Sequence, residues 1–152
     1  MKNINEMQIV SKGNLKESEL FSSILKKKVI SANGEILGKV KDVAFDLNSV
    51  KGIYVSSGFF GVNMLIDKDY IQKLNADSVI LKIDPVPAIT GKVVFDSDGK
   101  KIGKVQSIIR NDNTNDFTEA VVRKSRIRKA IKIPKKDMGV ISKNIILNRA
   151  YD

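Results

Sequence analysis

The chain has no cysteine and no histidine among its 152 residues. That excludes disulfides, thiol catalysis, a serine–histidine triad and any zinc site built on Cys or His ligands. No apolar run approaches the roughly 18 residues needed to cross a bilayer as a helix. Met1-Lys2-Asn3-Ile4-Asn5-Glu6 has no apolar signal character, so the expected location is the cytoplasm. Aromatic residues make up only 6% and tryptophan is absent, which leaves little material for stacking nucleic-acid bases. Three prolines are present, and two of them frame Pro85-Val86-Pro87.

What the chain does have is a repeat. Val29-Ile30-Ser31-Ala32-Asn33-Gly34-Glu35-Ile36-Leu37-Gly38-Lys39-Val40 returns as Val94-Phe95-Asp96-Ser97-Asp98-Gly99-Lys100-Lys101-Ile102-Gly103-Lys104-Val105. Gly34 and Gly38 recur as Gly99 and Gly103, a shift of 65 (99 − 34 and 103 − 38). Val79-Ile80-Leu81 recurs as Ile145-Ile146-Leu147 at a shift of 66 (145 − 79). A self-similar period means two copies of one unit. Units of this size are marginal alone, so packing against each other or against a second chain, as in a homodimer, would help both.

Within each unit the pattern is β. Asn33-Gly34 and Asp98-Gly99 are hairpin turn pairs, because these residues accept positive φ. Alternation predicts a second strand with Ile36, Val40 and either Val43 or Phe45 inward, and with Lys39, Lys41 and Asp42 outward. Gly38 and Gly103 fall inside that strand, where glycine marks a bend or a close backbone approach. Short strands follow around Ile53-Tyr54-Val55, Met64-Leu65-Ile66 and residues 79–82, with counterparts at 119–123, 130–133 and 145–148. The expected fold is all-β: two tandem small antiparallel barrels of five or six strands. Residues 1–19 form an expected flexible arm, and Ser18 is placed to cap a short helix through Leu20, Phe21, Ile24 and Leu25. The first unit is expected over 20–84, a stiff linker at 85–87 and the second unit over 88–152.

At this point the residues resemble a known family. Lys28 through Asp46 is similar to the opening of PRC-barrel domains, "k-V-x-s-x-d-G-e-x-i-G-k-V-x-D-v-x-x-D". The second copy follows the pattern through Val105, then has Ser107 where the first has Asp42 and Asn111 where it has Asp46. Ile133-Pro134 resembles the family's later "i-P" stretch, where the first copy has Asp67. The likeness covers about residues 20–84 and 88–149. It implies a small β-barrel fold with no common catalytic residue. By resemblance to archaeal CdpB-type division adaptors, it implies a protein partner such as SepF, the membrane anchor of FtsZ, and a place at the division site through that partner. By resemblance to the C-terminal domain of RimM, it implies RNA or the ribosome instead.

The residues themselves offer two candidate surfaces. The first is Phe59, Phe60, Val62 and Met64 in a glycine-flanked hairpin. Adjacent residues of a strand point to opposite sides, so one phenylalanine enters a core and the other faces solvent, the sister unit or a partner. The second is a stretch of eight cations: Arg123, Lys124, Arg126, Arg128, Lys129, Lys132, Lys135 and Lys136. Read as strand, Arg126, Arg128, Ala130 and Lys132 would share one face. Net charge is uneven: residues 1–86 hold 12 basic and 10 acidic residues (+2), and residues 87–152 hold 15 and 7 (+8). A solvated hairpin, phosphate or anionic-lipid contact, and an acidic protein all fit such a ribbon.

Other chemistry is poorly supported. Asp96-x-Asp98-x-Lys100 begins like a calcium loop but places Lys100 and Ser107 where oxygen ligands are required, so it reads as a turn. Asp67 and Asp69 flank Lys68 in a predicted polar turn, and Gly58-Phe59-Phe60-Gly61 precedes no helix and cannot be a phosphate loop. Catalytic, cofactor and metal residues are therefore expected to be none.

Overall fold

The computed structural model describes residues 12, 20–58 and 61–152. It is all-β, with two six-stranded sheets in tandem and one short helix, α1 (Phe21–Ile24). The first unit comprises β1 (Lys28–Ile30), β2 (Ile36–Phe45), β3 (Val50–Ser56), β4 (Met64–Asp67), β5 (Ile71–Leu74) and β6 (Ser78–Leu81). The second repeats this as β7 (Val93–Phe95), β8 (Lys101–Ile109), β9 (Glu119–Arg123), β10 (Ile131–Pro134), β11 (Met138–Ile141) and β12 (Ile145–Leu147). Both sheets have the same order, β4-β3-β2-β1-β6-β5 and β10-β9-β8-β7-β12-β11. One pairing in each is parallel rather than antiparallel: β1 with β6, and β7 with β12. The strand order of each sheet runs from one edge strand to the other.

Each sheet wraps its own core. Val29, Leu37, Val40, Ile53, Val55, Ile66, Val79 and Leu81 are buried in the first unit. Val94, Ile102, Val105, Ala120, Val122, Ile133, Ile145 and Leu147 are buried in the second. These lists match position by position, at shifts of 65 for the first three pairs, 67 for the next three and 66 for the last two. The duplication is thus a duplication of core positions, each Val, Leu or Ile side chain contributing about 1.5–3 kcal/mol by burial. Met64 belongs to the first core as well.

Glycine at the shared strand position has a steric cause. A Cβ on Gly38 would lie 2.3 Å from the Ser56 carbonyl oxygen, and one on Gly103 would lie 2.5 Å from that of Arg123. Gly38 also holds φ +148°. The long second strand can cross its neighbour this closely only without a side chain.

Strand phase differs from the simple alternation. Ile36 is 62% exposed and Phe45 65% exposed, while Leu37, Val40 and Val43 are buried. The cause is in the pairing: Val29 faces Gly38 but Ile30 faces Ile36, so Leu37 is an extra residue at a bulge. Further register shifts fall between Val40 and Asp42 and between Ala44 and Phe45. Each one-residue slip reverses which side chains point inward. Phe45 instead meets Phe21 of α1 in a tilted ring contact, with centroids 5.4 Å apart and planes at 43°. Ser18 and most of the expected arm lie outside the described residues.

The proline segment does more than connect. Val86–Ile89 forms a 3-10 turn whose Val86 and Ile89 enter the second core, while Ala88 packs on the first. The Val86 N–H donates to Asn115 Oδ1 (2.7 Å), and Asn115 Nδ2 donates to the Asp84 carbonyl (3.1 Å). The Asn33 N–H donates to Asp84 Oδ1 (2.9 Å). Across the junction Lys92 Nζ meets Glu35 Oε2 at 2.8 Å and the Ser142 carbonyl at 2.6 Å.

Candidate partner-binding site

The two surfaces singled out in the sequence centre on the same loop of the module. Residues 57–63 join β3 to β4, and residues 124–130 join β9 to β10, seven residues in each case. The fold delivers both by the same route, from the end of a strand paired along its length with the long bent strand.

In the first loop, Ser57 Oγ donates to the Val62 carbonyl at 2.8 Å and closes the loop at its base. Val62 is half-buried against the first core, and Met64 is 6% exposed within it. These two side chains anchor the loop to the sheet. Phe59 and Phe60 lie outside the described residues.

The second loop differs from the expected cationic strand. Strand β10 begins only at Ile131, so Arg126, Arg128 and Ala130 lie in the loop and share no sheet face with Lys132. A run of cations with serine at its centre has no alternating apolar positions to bury, and the chain turns instead. Two of the eight cations are neutralised at home. Lys132 lies 3.9 Å from Glu119 across the β9–β10 pair, and Lys135 pairs with Asp116 while its ammonium sits 5.5 Å from the Phe117 ring centre. Lys135 also holds the Asp116 carboxyl below its ordinary pKa, first through their hydrogen bond. Arg123 is half-buried at the end of β9, and Lys136 is exposed. Three of the others, Lys124, Arg128 and Lys129, join Lys100 and Lys101 around a cleft of about 410 Å3 that also includes Asp152. At the loop's tip Ile127 is 97% exposed between two arginines.

The carboxylates flagged in the sequence are structural. Asp96 is 2% exposed; its Oδ1 accepts from the Asp98 and Lys100 N–H groups at 3.0 and 2.8 Å, and Oδ2 accepts from that of Tyr151 at 3.3 Å. Burial pushes its pKa up, but the N–H donors of Lys100, Tyr151 and Asp98 outweigh it and hold the carboxyl below the usual range. Asp67 Oδ1 accepts from the Asp69 N–H at 2.8 Å and caps the 3-10 turn Lys68–Tyr70.

A triad absent from the sequence reading pins the C-terminal segment. Asp137 Oδ2 accepts from Tyr151 Oη at 2.6 Å and pairs with Arg149 Nη2 at 2.8 Å. The Tyr151 bond, ahead of the Arg149 charge, holds Asp137 below its ordinary pKa. Burial, and then the bond to Asp137, push the Tyr151 phenol up. Arg149 also lies 4.7 Å over the Tyr151 ring. No group of three or more acidic, His or Cys side chains that could hold a metal ion occurs among the described residues. No helix among them is long and apolar enough to cross a membrane.

Two equivalent sheets and two matched cores define a duplicated β-module. The description "PRC-barrel domain" matches residues 16–88 and again 85–150, and the chain belongs to that family. No curated protein matches the chain.

Proposed function

We propose that the chain is a non-enzymatic protein–protein adaptor whose two equivalent loops meet the partner. The observation that carries this reading is the exposed Ile127 among arginines on one loop, at the position where the other copy carries Phe59-Phe60. An apolar residue flanked by arginines, and an aromatic pair, are both typical of interface centres. A place in an archaeal division assembly, with a SepF-type partner, rests on the resemblance of the tandem arrangement and is the first pairing to test.

The alternative is an RNA- or ribosome-associated module. It is favoured by the cleft of Lys100, Lys101, Lys124, Arg128 and Lys129. The two readings separate in a titration or pull-down at low and high salt. Phe59→Ser and Phe60→Ser should cost a protein complex about 2 kcal/mol or more each. Neutralising Arg126, Arg128, Lys129 and Lys132 should act mainly on association rate for a protein. It should abolish RNA binding, which also falls steeply with salt. Full binding by the phenylalanine variants with complete loss in the charge variant would reject the adaptor reading.

A further inference from the structure

The first unit, near-neutral by count, carries a concentrated cationic groove. Lys28 on β1 stands directly opposite Lys39 on β2. Lys26 precedes Lys28 by two residues, and its N–H donates to the Val40 carbonyl at 2.8 Å. Lys41 follows Lys39 by two. All four lysines are exposed. Together they line a groove of about 470 Å3 that includes Gly38 and Ser56.

Three features make this more than a solvated face. No carboxylate lines the groove among the described residues. The ion pairs among those residues lie elsewhere, at Lys51–Asp46, Lys92–Glu35, Lys132–Glu119, Lys135–Asp116 and Arg149–Asp137. Like charges directly opposite on neighbouring strands oppose pairing, so the Lys28–Lys39 juxtaposition works against the fold. Lys26 holds φ +70°, the one non-glycine residue in the left-handed region among those described. It follows the C-cap of α1, where a left-handed residue ends a helix, and so holds the Lys26 backbone beside β2 at the groove.

We propose that this groove binds a clustered phosphate group, of the di- or triphosphate kind. Four ammonium groups match several negative charges better than a single carboxylate, and lysine recognises phosphate as a point charge. The volume suits a small ligand. No aromatic side chain lines the groove among the described residues. The ligand is either a soluble oligophosphate or a phosphorylated lipid headgroup.

The test uses the full chain, inorganic tripolyphosphate in calorimetric titration, and sedimentation with phosphatidylcholine vesicles containing or lacking phosphatidic acid. The variant is Lys28→Gln with Lys39→Gln. The control is Lys68→Gln with Lys73→Gln, two exposed lysines of the first unit that lie outside the groove. The first variant should lose affinity by about tenfold or more, as expected when two charge-assisted contacts go. Without ligand it should melt at or above the wild-type temperature, because opposed charges have been removed. Higher melting with lost binding separates loss of the site from loss of the fold. Tripolyphosphate binding assigns a soluble source, and capture only on phosphatidic acid vesicles assigns a headgroup. Absence of both, unchanged binding in the first variant, or equal loss in both variants would overturn the proposal.

Discussion

The Glu35–Lys92 pair gives the sharpest test of how the two units are joined. The Lys92 side chain is 8% exposed and the Glu35 side chain 39%. A fully exposed pair contributes about 0–1 kcal/mol. Removing one partner of a fully buried pair costs about 3–5 kcal/mol, because a buried charge is left alone. This pair lies between those limits and is asymmetric. Glu35→Ala strands a buried ammonium whose other partner is the Ser142 carbonyl. It should cost about 2 kcal/mol, the middle of that range. Lys92→Met leaves a carboxylate that water reaches and should cost about 1 kcal/mol or less. A loss of about 2 kcal/mol lowers the melting temperature by roughly 4–8 °C in a chain this long. Urea unfolding of both single variants and the double variant supplies the coupling energy directly. A coupling below about 0.5 kcal/mol, or a larger cost for Lys92→Met than for Glu35→Ala, would refute the reasoning.

Acid should unfold the second unit through Asp96 and Asp137. Both carboxyls have folded pKa values below the ordinary one. Their stabilisation is therefore complete above the unfolded carboxylate range and is lost as pH falls below about 4 toward the folded values. Asp96→Asn and Asp137→Asn should each flatten the acid limb of a urea-midpoint-against-pH curve, and an unchanged slope would contradict the assignment. Gly38→Ala should cost at least about 2 kcal/mol, because its Cβ meets the Ser56 carbonyl, a backbone atom that cannot swing aside. Gly34→Ala, at φ +87° in open space, should cost only about 1 kcal/mol. Equal costs in thermal melts would show that close approach is not what selects glycine at Gly38.

Much of the fold was legible because its signals are local. The Asn33-Gly34 and Asp98-Gly99 turns need only their own residues, and the repeat carries matching core positions. What failed depended on a neighbouring strand. Ile36 and Leu37 exchange faces at a bulge set by pairing with β1, which no single-strand pattern contains. The parallel contact between β1 and β6 joins segments 50 residues apart (78 − 28). For the candidate surfaces, composition misled in both directions. The cationic stretch is thinned by Glu119 and Asp116, while the near-neutral first copy hides four lysines that meet only when β1 lies beside β2. The Asp137–Arg149–Tyr151 cluster gave no motif, because it is assembled from a turn and the chain's last residues.

The parallel pairing of first and last strands makes each module an all-at-once object during synthesis. β1 lacks one of its two neighbours until Ser78–Leu81 has emerged, and β7 waits in the same way for Ile145–Leu147. The first module can therefore complete before the last strand of the second exists. That order of events keeps β1 from meeting the look-alike β12, whose Ile145-Ile146-Leu147 closely matches Val79-Ile80-Leu81. Refolding of the finished chain from denaturant has no such order. There β6 and β12 compete for the same strand, and exchange of last strands between modules or between chains becomes the misfolding route built into the duplication.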